Sequence, residues 1–137
     1  MNKPFLRRAL HFWFLDFILA GINFGILSLV YEPMWGSLVA HQIDMITRMV
    51  YICILAYFLI RPIQEYRRVD LLHAGLLWLG LTLLWEWGGS LLIGRPVEDI
   101  LVGWNIFAGY LWPFVLLTYF FANLAVGTLI KHPIPEN

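Results

Sequence analysis

Ser37, His41, Asp44, Arg48 and Tyr51 follow one another at steps of four and three residues. That spacing places all of their side chains on one face of a helix. The run that holds them continues apolar from Met49 to Ile60 and reads as bilayer-spanning. Ionisable side chains are expensive in a membrane, so this stripe must face other protein or water rather than lipid. Asp44 and Arg48 stand i, i+4 and can pair within their own helix. The planar fork of Arg48 can also reach a second carboxylate, for which Glu86 is the obvious candidate. Two readings stay open. In one, Asp44, Arg48 and Glu86 form a structural ion cluster that fixes helix register. In the other, Glu86, Asp44 or His41 binds a proton, an ion or a polar headgroup in a cavity.

Other chemistries fit the residues less well. His41, Asp44 and Glu86 would supply one imidazole and two carboxylates, a set that suits Fe, Mn or Zn. Arg48 would repel such a cation, and no second His is near. Ser37 and Ser90 lack a Gly-x-Ser-x-Gly setting, and Cys53 has no neighbouring base. No glycine loop suited to phosphate is present. No catalytic residue, metal or cofactor is therefore expected, and an enzyme is the less favoured class.

The elements that position these residues are read from hydropathy. Of the 137 residues, 61% are hydrophobic, 13% are charged, and the mean hydropathy is +0.74. A soluble domain carries roughly half apolar residues, so this composition points to an integral membrane protein. Zero formal net charge leaves no field to attract nucleic acid. One cysteine, Cys53, cannot form an internal disulfide. The expected fold is an all-α integral membrane protein, a single membrane domain over residues 1–137. Its four transmembrane helices cover about 10–31, 37–60, 71–93 and 104–130.

The first span, Leu10 to Tyr31, follows a basic start (Lys3, Arg7, Arg8) and has no small-residue cleavage site, so it reads as retained. Its Gly21 and Gly25 form a Gly-x-x-x-Gly that would let another helix approach closely. Glu32-Pro33-Met34-Trp35-Gly36 reads as a tight turn. Arg61-Pro62 ends the second span, because proline disfavours helix at the residue before it. The fourth span contains Pro113, read as a kink. Trp35, Trp85, Trp87 and Trp104 read as one aromatic belt. Short loops make successive helices antiparallel neighbours in a bundle.

Basic residues set the orientation. With both termini cytoplasmic, Arg95 alone of the nine Lys and Arg residues lies outside, and Arg48 lies within the membrane. His41, Asp44, Arg48 and Glu86 then fall in the outer half, with Asn105 at the same level. Asp16 and Asn123 form a separate polar pair in the inner half.

Trp78, Leu81-Thr82, Trp85-Glu86-Trp87, Gly94-Arg95, Asn105, Gly109 and Leu111-Trp112-Pro113 carry a likeness over residues 71–120. On these motifs the chain resembles a group of small uncharacterised four-span bacterial membrane proteins. Gly103-Trp104-Asn105 lacks that group's acidic residue, and Tyr110 stands where the group has a basic one. The resemblance implies a helical protein of the bacterial inner membrane and no activity. Taken together, the residues suggest a transporter- or channel-type subunit working as a homo-oligomer, or an accessory subunit of a larger membrane complex.

Overall fold

A computed structural model describes residues 2–135 and shows a helical protein, with no strand among them beyond one bridge between Arg67 and Ile134. Four helices are long and apolar enough to cross a membrane: Lys3–Trp35, Ser37–Ile60, Arg68–Leu92 and Trp112–Ile130.

The first helix starts earlier than hydropathy suggests, because Asn2 caps it. Its side chain accepts from Phe5 N at 3.2 Å, and Pro4 occupies the first turn, where a missing N–H costs nothing. Arg8 is thereby carried on the helix, and its Nε and Nη2 donate to the carbonyls of Leu59 and Phe58 at 3.0 and 3.2 Å. At the other end the expected turn at Glu32–Trp35 is helical. The chain widens into a π turn at Leu27–Tyr31 and breaks only at Gly36, whose φ of 84° favours glycine.

The second helix runs Ser37–Ile60 and stops before Pro62, as its sequence signals. The third begins at Arg68 rather than Leu71. Asp70 Oδ2 accepts from Arg67 N at 2.9 Å and so satisfies an orphan donor of the first turn. This helix also widens into a π turn, at Leu84–Gly89, and it ends at Leu92 before Gly94.

Residues 93–111 differ most from expectation. They form a short helix, Val97–Leu101, and two 3-10 turns, Val102–Trp104 and Ile106–Ala108. Gly109, at φ 94°, turns the chain into the fourth helix. That helix therefore begins at Trp112, not Trp104. Pro113 sits in its first turn and is a start signal instead of a kink.

The fourth helix packs on both the second and the third, and the first packs on the same two. The second and third, consecutive in the chain, share no such seam, so they are not the neighbours that short loops suggest. Trp78 fills the core and donates Nε1 to Ala9 O at 2.8 Å. Tyr66 joins three segments. Its ring packs on Phe5, its hydroxyl donates to Gly127 O at 2.5 Å, and its carbonyl accepts from Ile134 N at 2.9 Å. Burial pushes its phenol above the ordinary value, so it stays a neutral donor.

The close helix approach is not at Gly21 and Gly25, where a Cβ would meet nothing within 4 Å. It lies at Gly75, where a Cβ would collide with the backbone carbonyl of Phe120, and at Gly127, where it would lie 2.6 Å from Leu71 Cδ2. The third–fourth seam depends most on Gly75, where the obstacle is backbone, whereas at Gly127 the Leu71 side chain can give way. Gly75→Ala is expected to lower unfolding stability in detergent by about 1–3 kcal/mol, the usual range for overpacking. Gly21→Ala should stay within about 0.5 kcal/mol of the parent in the same assay.

Candidate functional site: a charged cavity at the 93–111 end

A cavity of about 740 Å³ lies between the first, second and third helices and is roofed by the 93–111 segment. His41, Asp44, Arg48 and Glu86 all line it, together with Arg95 and Asp99 near its mouth. Four of the residues singled out in the sequence are thus brought together. Their partners are not the ones expected.

Arg48 makes no ion pair. Among the described residues no carboxylate oxygen lies within 4.0 Å of it. Its Nε and Nη2 donate to Tyr119 Oη at 3.0 and 2.7 Å, and the guanidinium lies 5.0 Å from the centre of the Trp112 ring. The same hydroxyl donates to Asp16 Oδ2 at 2.6 Å. One phenol therefore stands between a cation from the second helix and a carboxylate from the first. The intrahelical Asp44–Arg48 pair is not made because Asp44 turns to Asn23, whose Nδ2 donates to Asp44 Oδ1 and, at 3.2 Å, to Asp44 O. Asn23 follows Asp16 by two turns of the first helix, so both polar groups on that helix's inner face are spent on cross-helix bonds.

Glu86 does not reach Arg48 either. It lies in the π turn Leu84–Gly89, and its Oε1 accepts from Trp104 Nε1 at 3.0 Å. Its Oε2 is buried without a hydrogen-bond partner, and Trp112 Nε1 faces the carboxylate without completing a bond to it. A π turn inserts a residue into the helical ladder and swings the following side chains around the axis, a feature common at functional sites. Trp104, expected in the aromatic belt, is half-buried and donates to Glu86. Trp85 fits the belt better, exposed and edge-on to Phe17 at 4.7 Å.

His41 has a positioning role. Its Nε2 accepts from Leu111 N at 3.1 Å, which places the imidazole proton on Nδ1 in this arrangement, and its ring meets Tyr110 edge-on at 5.0 Å. Gln42 Nε2 donates to Gly109 O at 3.0 Å beside it. These two side chains pin the turn that launches the fourth helix.

Asn105 does not line the cavity. It is exposed between the two 3-10 turns, where its carbonyl accepts from Ala108 N and Tyr110 N at 3.1 and 3.2 Å. The wall expected of it is made by Gly103, Tyr110 and Trp112, because the helix that would have carried Asn105 inward begins later. Asp16 and Asn123 do not bond to each other. Asn123 is fully buried one turn beyond Tyr119, with neither amide atom partnered, and Asp16 Oδ1 is also unpartnered.

Tyr119 and Asn23 are the functional partners that the spacing of the polar stripe does not reveal. The available signal was the need of each membrane-buried charge for an acceptor or donor on another helix. Among the described residues, no three His, Cys, Asp or Glu side chains converge to hold a metal. The chemistry on offer is hydrogen bonding and charge of both signs at the base of an open cavity.

Tyr119→Phe leaves Arg48 without its acceptor and Asp16 without its donor. It is expected to cost about 1–3 kcal/mol, the range for stranding buried partners of a hydrogen bond, read from thermal unfolding in detergent. Asn105→Ala should move stability by less than about 0.5 kcal/mol. Equal effects of the two substitutions would contradict a central place for the Tyr119 hydroxyl. No family model matches the chain, and neither a curated protein nor a solved structure is significantly similar to it.

Proposed function

We propose that this chain is a transporter- or channel-type membrane subunit that takes a proton, an ion or a polar headgroup into the cavity at its 93–111 end. One observation carries the reading. Arg48, a guanidinium without a carboxylate partner, lines the same cavity as Glu86, a carboxylate with one buried oxygen left without a donor. A purely structural ion cluster would bring Arg48 and Glu86 into contact, since an unpaired intramembrane charge is costly.

The proposed arrangement is an antiparallel bundle with both termini cytoplasmic, in a bacterial inner membrane. Supporting the antiparallel order, Arg8 meets Leu59 while Asn23 meets Asp44, and Gly75 meets Phe120 while Gly127 meets Leu71. Residue numbers thus rise along one helix as they fall along its partner. The distribution of basic residues supports the orientation. With that orientation the cavity faces outward. Its far end is closed by Phe5, Leu59, Tyr66, Leu71 and Trp78, all buried. An outward-open, inward-closed shape suits alternating access or a receptor pocket better than a continuous pore.

The accessory-subunit reading draws support from the uncovered Gly21 and Gly25 face, which could seat a helix of another protein. Reconstitution separates the two. Vesicles containing the protein alone are expected to show ion or proton flux, and Glu86→Gln should reduce that flux at least tenfold while leaving the thermal transition in place. A silent wild-type protein that copurifies with a second polypeptide at fixed ratio would overturn the autonomous role.

A further inference from the structure

The first and third helices touch at Trp13–Thr82, an indole-to-hydroxyl bond of 3.0 Å, and at the Phe17–Trp85 ring pair. Beyond Phe17 the first helix turns to the second, which it meets through Asn23 and Asp44. The gap that opens is part of the cavity. Ala20, Gly21 and Phe24 line it on one side, Gly89 and Ile93 on the other. A Cβ at Gly21 would meet nothing within 4 Å. Phe24 and Ile93, at the edges of the gap, are 64% and 82% exposed. The cavity is therefore open sideways through an apolar slot, as well as having a polar interior.

We infer that the occupant is a zwitterionic phospholipid that enters sideways from the bilayer, with its head in the cavity and an acyl chain in the slot beside Gly21. The inference rests on the proposed role of the cavity as a binding site and names its ligand class. Charge selects the head. Asp44, Glu86, Glu32 and Asp99 stand in the lining against Arg48 and Arg95, so a purely anionic head meets more repulsion than attraction. A head carrying both phosphate and ammonium meets both signs. The phosphate suits the guanidinium of Arg48, which has no carboxylate contact, and the ammonium suits the Glu86 carboxylate, which is in the lining and whose buried Oε2 has no donor. Volume agrees, since about 740 Å³ falls within the usual 300–1,000 Å³ of a small-molecule pocket. A helix from a second copy fits less well. The outward surface of this chain is Leu, Ile and Phe, which would leave both charges unmet.

The test is mass measurement of the full chain in mild detergent after delipidation and addition of defined lipids. The wild type is expected to retain one phosphatidylethanolamine per chain at least tenfold better than phosphatidylglycerol. Gly21→Leu, whose Cβ would meet nothing within 4 Å and whose side chain extends into the slot, should lower that retention at least tenfold at an unchanged thermal transition. Glu86→Gln should shift the preference toward phosphatidylglycerol. The inference is overturned if Gly21→Leu retains lipid like the parent. It is also overturned if water-soluble glycerophosphoethanolamine binds as well as the lipid, or if Gly21→Leu only converts a dimer to a monomer. Loss of lipid retention alongside Glu86-dependent flux would sink this inference alone. Slot-dependent lipid retention with no flux would instead remove the transport reading and leave the lipid site standing.

Discussion

A guanidinium buried in a membrane bundle has to be met, and the structure is arranged around how Arg48 is met. The partner is a neutral hydroxyl, Tyr119 Oη, which accepts two bonds from Arg48 and gives its own proton to Asp16. This bridge ties the first, second and fourth helices at one depth. It also keeps the two charges apart, so neither neutralises the other by contact. An uncharged linker between ions preserves local polarity in a medium where direct pairing would quench it. Asp44, released from Arg48, is free to bind Asn23 and hold the first helix to the second.

That arrangement has a consequence for shape. With the first helix committed to the second at Asn23 and to the third only as far as Phe17, the bundle opens at the 93–111 end. The π turn at Leu84–Gly89 turns Glu86 into the opening, and the non-helical segment before Trp112 supplies Trp104 to hold one of its oxygens. His41 and Gln42 fasten the end of that segment. At the opposite end, Tyr66 and the close seams at Gly75 and Gly127 keep the helices in tight contact. One end is thus closed by buried apolar side chains, and the other opens on a charged cavity.

Helix number and the membership of the polar stripe were legible because both follow from periodicity and hydropathy. Apolar runs of this length have one stable form in a bilayer, and a 3–4 spacing puts His41, Asp44 and Arg48 on one face whatever the neighbours do. Partner choice was not legible. The i, i+4 spacing of Asp44 and Arg48 permits a pair, but the cross-helix bonds to Asn23 and Tyr119 win, and they depend on which helices pack together. The seam order, with the fourth helix between the second and third, is a property of side-chain fit that loop length does not encode. Asn105 was misplaced for a local reason. Pro113 can mark either a kink or a first turn, and Gly109 at positive φ settled it as a first turn. Gly21 and Gly25 carry a motif for helix contact yet border open space, since small residues permit close approach without requiring it.

The central claim is that the charges of the cavity are left unpaired for a ligand. Mass measurement of the protein drawn from its native membrane in mild detergent tests this most directly. The expected result is a chain that carries one bound non-protein molecule at fixed ratio, whose retention falls or whose identity changes when Glu86 is replaced by Gln. A bare wild-type chain, or a bound molecule indifferent to Glu86, would contradict it.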